Sequence, residues 1–285
     1  IIDKNIITQQ HINRFKDAIL NGQSTFKIKE VEQLFDELGI SKMKIGTSQQ
    51  KADIILDASR NGQLFSNEGF GIKSYLGSKP TLLNASGNNT NFIFEITNFN
   101  DVSMDIVNKI DSRTKIKERL DYILSKSSEL KFSRIEAETM HYNLKVLDSE
   151  LPDLVAQMLL NFYTNRTSAL ANNLKETYEN ELSFKENGID IVGYEIKLKR
   201  FLVAILLGMF SGKKWDGKYT SNGSIIIKKD GSHVVFHIIK LDFLENFLFQ
   251  NIIFDTPSST RHRFGSVYKE LDGKYYFKLN IQLRF

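Results

Sequence analysis

A chain of 285 residues, 41% hydrophobic and 25% charged, has the make-up of an ordinary globular protein and length for one large core or two smaller ones. It has no cysteine, which excludes disulfides, thiolate metal sites and a cysteine nucleophile. The net charge of +4 is matched by one window, residues 211–240, which holds six lysines against two aspartates. The longest apolar run, 201–210, is broken by Gly208 and is too short to span a membrane. The opening IIDKNIITQQ lacks the basic and apolar regions of a signal peptide, and because it does not start with Met, further residues upstream are expected.

Thr8 can cap a first helix, whose Ile12, Phe15, Ile19 and Leu20 recur at helical spacing and which Asn21-Gly22 ends. His11 on that helix reads as a surface residue. A second helix over 28–38 carries Val31, Leu34, Phe35 and Leu38 on one stripe and stops at Gly39. A short strand is expected at 43–45. Next comes DIILDASRNGQLFSNEGFGIKS (53–74), read as a strand opened by Asp53, a loop rich in Asn, Gly and Ser, and a second strand over 70–74. Alternation puts Gly71 and Lys73 on one face of that second strand. If the two strands pair, Asp53 and Lys73 meet at one end of a sheet. A carboxylate beside an ammonium suits metal-dependent phosphodiester cleavage, though a turn-forming Asp and a snorkelling Lys would have the same spacing.

Residues 74–91 form a Gly-, Ser- and Asn-rich loop able to approach a phosphate chain closely, and 92–96 a strand containing Glu95. From 100 to 180 the chain is mostly helical, with amphipathic segments at 101–110, 115–124 and 151–164, the last with Pro152 in its first turn. A further helix is expected over 133–146. Its Glu138 and His141 have the i, i+3 spacing of half a carboxylate-bridged metal motif, but no second copy follows, and a polar helix face explains them better.

Residues 194–210 read as a helix, basic at its start through Lys197, Lys199 and Arg200. Lys213, Lys214 and Lys218 then surround Trp215, a mixture that suits a nucleic-acid surface or a packed aromatic anchor. A hairpin follows, with strands at 224–228 and 233–239, and His237 is read as a core histidine. The last hairpin pairs 264–268 with 275–285 about Asp272-Gly273. Just before it, residues 256–263 crowd hydroxyls with Arg261, His262 and Arg263, a composition fit for contacts to DNA.

Three long stretches resemble the HpaII-type restriction endonucleases: GFGIKSYLGSKPTLLNASGNNTNFIFEI (69–96), FLVAILLGMFSGKKWDGKY (201–219) and FDTPSSTRHRFGSVYKELDGKYYFKLNIQLRF (254–285). TFKIKEVEQLF (25–35) and KADI (51–54) are similar as well. The resemblance implies a mixed α/β (α+β) fold: a PD-(D/E)xK-like central mixed sheet flanked by helices, with a helical middle region and a C-terminal β-hairpin. It divides the chain into a nuclease core (1–99), a helical scaffold or clamp (100–190) and a basic recognition region packed on the core (191–285).

It further implies a bacterial, cytoplasmic type II enzyme that cuts double-stranded DNA with Mg²⁺ at a short site, CCGG being the leading guess. Such an enzyme would work beside a cognate DNA methyltransferase, without a membrane, and as a homodimer if its target is palindromic. By this resemblance Asp53 is the metal ligand and Lys73 the catalytic lysine. The acidic residue expected two places before that lysine is Gly71. Glu95, Glu68 or Asp57 could supply a second carboxylate, Glu95 being favoured because strands hold ligands rigidly. A Glu-bearing helix upstream of the first residue is also implied. Lys213, Lys214, Lys218, Arg261, His262 and Arg263 are the expected DNA contacts, with Asn84, Asn88 and Asn89 as further candidates for base readout. The Gly71 departure keeps one alternative open, a DNA-binding module without nuclease activity.

Overall fold

The computed structural model describes residues 51–60, 63–126 and 129–285, and of the earlier chain residues 8–10, 12, 13 and 17. Residues 9, 10, 12, 13 and 17 are helical. The rest of the helices expected over 8–38, and the strand at 43–45, lie outside the described residues.

In chain order the strands are β1 (Ile54–Arg60), β2 (Gln63–Ser74), β3 (Thr81–Leu83), β4 (Asn91–Ile96), β5 (Leu130–Ile135), β6 (Gly223–Ile227), β7 (His233–His237), β8 (Ile253–Phe254), β9 (Val267–Lys269), β10 (Tyr275–Asn280) and β11 (Leu283–Arg284). The helices are α1 (Asp101–Lys109), α2 (Lys115–Ser125), α3 (Glu138–Leu147), α4 (Leu151–Asn165), α5 (Leu170–Asn180), α6 (Leu182–Glu186), α7 (Ile191–Leu207), α8 (Leu241–Asn251) and the single turn α9 (Ser259–His262). The class is mixed α+β, as expected.

The chain divides into two compact units, Ile1–Pro80 with Thr220–Ile239, and Thr81–Tyr219 with Lys240–Phe285. These boundaries differ from the three segments read from the sequence because strand pairing crosses them. β6 and β7 leave the C-terminal third to join β2, and β4 leaves the N-terminal third to join β10.

The smaller unit holds one mixed sheet in the order β1-β2-β6-β7. β2 is its long central strand, antiparallel to β1 and parallel to β6. The Asn-, Gly- and Ser-rich stretch expected to be a loop is extended strand up to Arg60 and again from Gln63. Its polar side chains obscured a pairing that runs, with one bulge, from Ile54↔Phe70 to Arg60↔Gln63.

The larger unit is built on the antiparallel sheet β5-β4-β10-β9, with a small sheet β3-β11-β8 beside it. Phe92, Phe94, Phe277 and Leu279 bury fully in the centre of the large sheet, each stabilising by roughly 1.5–3 kcal/mol. The helix expected over 133–146 begins only at Glu138. Residues 130–135 pair with β4 instead, and the Phe132 ring packs on Phe92 and Phe94. The segment's apolar residues alternate with polar ones before the helical period begins.

α7 is capped by Asp190, whose carboxylate accepts from Gly193 N at 2.9 Å. From Phe201 to Leu207 every side chain is buried, against α3, α5, α8 and β3. Among the described residues no helix is long and apolar enough to cross a membrane. The expected terminal strand 275–285 is two strands in two sheets, β10 and β11, parted at Ile281-Gln282. α8 and β3 were not read in the sequence.

Candidate active site and nucleic-acid interface

Asp53 stands one residue before β1, and its backbone N–H donates to Phe70 O at 2.8 Å, which extends the pairing with β2. Its side chain turns back across Gly71, and Oδ2 accepts from Ile72 N at 2.6 Å. One carboxylate oxygen is thus fixed by backbone while the carboxylate as a whole stays exposed. Lys73 follows two residues on from Gly71, in parallel register with Ile226 of β6. Burial pushes its ammonium below the usual lysine range, and the nearby Asp53 carboxylate opposes part of that shift. The sheet therefore brings together the two residues that the sequence paired.

Gly71 is explained by the same geometry. A Cβ there would lie 2.9 Å from the Lys51 carbonyl oxygen and 3.9 Å from Asp53 Oδ2. The space that an acidic side chain would enter is taken by a backbone oxygen. Lys51 was missed as a site residue, having been noted only within KADI. Its N–H is anchored on Thr220 Oγ1 at 3.0 Å, and its ammonium is pushed down to about 8, first by burial and then by the charge of Lys73.

The other candidate carboxylates are engaged. Glu68 Oε2 meets His237 Nε2 at 3.1 Å. Glu95 lies on β4 of the larger unit and pairs with Lys274, Nζ to Oε1 at 2.9 Å. The Asp57 side chain lies outside the described residues. His237 is half-buried rather than a core residue, and the strand face it shares is open, with Val235 and Ile239 about half exposed. Glu136, just before α3, accepts from Lys278 and Asn91, which gives it a structural role on the sheet. Among the described residues no three His, Asp or Glu side chains cluster to hold a metal ion. The donors at Asp53 are nonetheless hard oxygens, a carboxylate and the neighbouring Lys51 carbonyl, and they fit a Mg²⁺ ion that keeps several waters and is completed by substrate phosphate.

In the larger unit the expected DNA-contact residues gather on three adjoining loops. Gly87 N donates to His262 Nδ1 at 3.2 Å, which ties α9 to the loop before β4. Asn89 packs on Gly212, where a Cβ would come within 3.1 Å of Asn89 Nδ2, which ties the same loop to the lysine-rich one. Asn84 and Asn88 remain exposed, as do Lys213, Lys214, Lys218, Arg261 and Arg263. His262 and Asn89 hold loops together, and Trp215 is an anchor, its Nε1–H donating to Lys218 O at 2.8 Å.

Two buried amides fix these loops, and neither was singled out in the sequence. Asn143 of α3 donates to the carbonyls of Phe210 and Lys213, both at 2.9 Å, and accepts from Trp215 N at 2.8 Å. Asn280 of β10 bonds Thr90, Asn91 and Gly87. The available signal was a lone Asn among apolar neighbours, in HYNLKV and YYFKLN.

Two comparisons bear on this arrangement. The family description "HpaII restriction endonuclease" matches residues 2–285. The chain belongs to that family. It is 34% identical over 278 residues to the Type II restriction enzyme HpaII of Haemophilus parainfluenzae, a match covering 96% of this chain and 75% of that relative. No solved structure matches. Membership makes the chain a type II, site-specific deoxyribonuclease.

Proposed function

We propose that this chain hydrolyses phosphodiester bonds of double-stranded DNA with Mg²⁺ at a short specific site, CCGG in the first instance, as a PD-(D/E)xK-type nuclease. The observation that carries the mechanism is the Asp53 carboxylate, fixed by Ile72 N across the bare Gly71 on the strand that carries Lys73. Asp53 and the Lys51 carbonyl would hold the ion. Mg²⁺ bound there would supply positive charge against the phosphoryl oxygens. Lys73 orients the attacking water and donates to the scissile phosphate as charge builds on it. Burial makes that donation stronger than it would be in open solvent. Water adds to phosphorus and passes a proton to solvent, and as the bond to the leaving oxygen breaks that oxygen takes a proton from solvent. Glu68, in the same unit as Asp53, could join the metal only by leaving His237.

Lys213, Lys214, Lys218, Arg261 and Arg263 hold the duplex, with Asn84, Asn88 and the Arg261 fork reading base edges. A palindromic target would pair with a two-fold dimer, and a cognate methyltransferase would protect the same site in the bacterial cytoplasm. The test is a digest of a fully sequenced plasmid with Mg²⁺ beside an EDTA control. Discrete fragments ending at CCGG, abolished by EDTA, are expected. Discrete fragments at another sequence would discard the specificity alone. The single carboxylate favours one other reading, binding without cleavage, and intact plasmid with retained affinity would support it.

A further inference from the structure

Beside α9, the larger unit has two cavities, of about 360 Å³ and 260 Å³, that share Lys115 and Ser259 in their walls. The first is walled by Lys115, Arg119, Arg263 and Lys278, the second by Arg113, Lys115 and Arg166. Neither has a carboxylate in its lining. Hydroxyls fill much of the remaining wall, Ser259, Thr260 and Ser266 in one cavity and Thr114, Thr256 and Ser258 in the other.

The cations do different work. Arg119 is spent on the fold, donating to the carbonyls of Asn108, Ile110 and Gly265. Lys278 pairs with Glu136 and Lys115 with Asp111. Arg113, Arg166 and Arg263 enter no side-chain hydrogen bond or ion pair with a described residue. Two of these three also sit where arginine is unfavourable. Arg166 caps the end of α4 with φ +65°, and Arg263 caps α9 with φ +53°. Glycine fills such left-handed caps at lower cost, because it has no Cβ to clash. Arginine at both caps, each lining one of the two adjoining cavities without a carboxylate, indicates that the side chain is needed there.

We propose that the two adjoining cavities seat two successive phosphates of one DNA strand, with Arg113, Arg166 and Arg263 as the phosphate-binding groups. This rests on the DNA-cleaving reading above and adds to it a backbone clamp, drawn partly from α4 and the turn before α2. Guanidinium forks and hydroxyls suit phosphodiester oxygens, and contacts to them position the duplex without reading its sequence.

The test is duplex affinity by fluorescence anisotropy, without divalent metal, at several salt concentrations. Full-length wild type is compared with Arg113→Ala/Arg166→Gly, and with Lys175→Ala as a control for loss of an exposed cation. The double variant should lose affinity equally for CCGG and scrambled duplexes. Its plot of log affinity against log salt should flatten by about one unit per arginine. Its thermal midpoint should not fall, since Arg166→Gly relieves a left-handed residue, so weaker binding would not reflect unfolding. A slope changed no more than in Lys175→Ala, or a loss confined to the CCGG duplex, overturns the clamp. Inorganic phosphate titrated alone separates polymer from free anion. Saturation at micromolar phosphate, lost in the double variant, would also overturn the backbone reading. Wild type with no salt-dependent duplex affinity would instead overturn the DNA-cleaving reading itself.

Discussion

The two units hold their functional groups by different means. In the smaller unit, strand register does the work: Asp53 is fixed by a backbone N–H of β2, and Lys73 stands on that same strand. In the larger unit the contact loops are irregular, and buried side-chain amides, Asn143 and Asn280, take over the hydrogen bonding that a ladder would supply. A site borne by a sheet loses chemistry when a side chain is cut and little else. Loops pinned by an amide lose their shape. Substitutions in the two units should therefore separate into rate effects and stability effects.

The largest effect is expected at Lys73→Ala. Cleavage should fall about a thousandfold, the scale of losing a group that stabilises transition-state charge, while duplex affinity and thermal midpoint stay near wild type. Because Lys73 is half-buried beside a carboxylate, Lys73→Met, which keeps the packing, is the cleaner variant. Undiminished single-turnover cleavage by either would remove Lys73 from the mechanism.

Asn143→Ala should show the opposite pattern. The amide is fully buried and its three bonds hold Phe210, Lys213 and Trp215. Losing them costs roughly 2–4 kcal/mol, given about 1–3 kcal/mol for a buried polar group left unmade and some relief from water entering the loop. The better helix propensity of alanine returns only about half a kcal/mol. Urea unfolding should show the loss, together with weaker DNA binding. A stable variant with normal affinity would show that the lysine-rich loop holds itself.

Gly71→Asp tests why the expected acidic residue is absent. Its Cβ would meet the Lys51 carbonyl at 2.9 Å, so backbone must move. Overpacking of this kind costs about 1–3 kcal/mol and pulls Asp53 from Ile72 N. Activity and stability should both fall. A gain in Mg²⁺ affinity or rate would mean that the site has room for a second carboxylate.

These differences also mark what the sequence could say. Asp53, Gly71 and Lys73 were legible because alternation along a strand fixes which side chains share a face. Lys51 was not, since the place of its carbonyl against Gly71 is set only by folding. The strand over 130–135 was hidden by the helical period that starts immediately after it. β6 and β7 were legible as a hairpin, but their pairing with β2 is a long-range choice that local periodicity does not encode. Arg261 and Arg263 stood out by composition. Arg113 and Arg166 did not, because their shared cleft forms only when α4 and the turn before α2 meet the residues around α9.

The smallest expected effect separates two adjacent residues that the sequence treated alike. Asn88 is exposed and makes no side-chain bond to a described residue, whereas Asn89 donates to Ser86 Oγ at 3.2 Å and fills the space above Gly212. Asn88→Ala should leave stability within about 0.5 kcal/mol of wild type. Asn89→Ala should lose about 1 kcal/mol, a fall in thermal midpoint of roughly 2–4 °C for a chain of this size. If Asn88 reads a base edge, its variant should lose discrimination between CCGG and mismatched duplexes by about 1–3 kcal/mol with stability intact. The Asn89 variant should bind both kinds of duplex more weakly, through the displaced lysine loop. Equal midpoints for the two variants would show that the contact with Gly212 carries no stability.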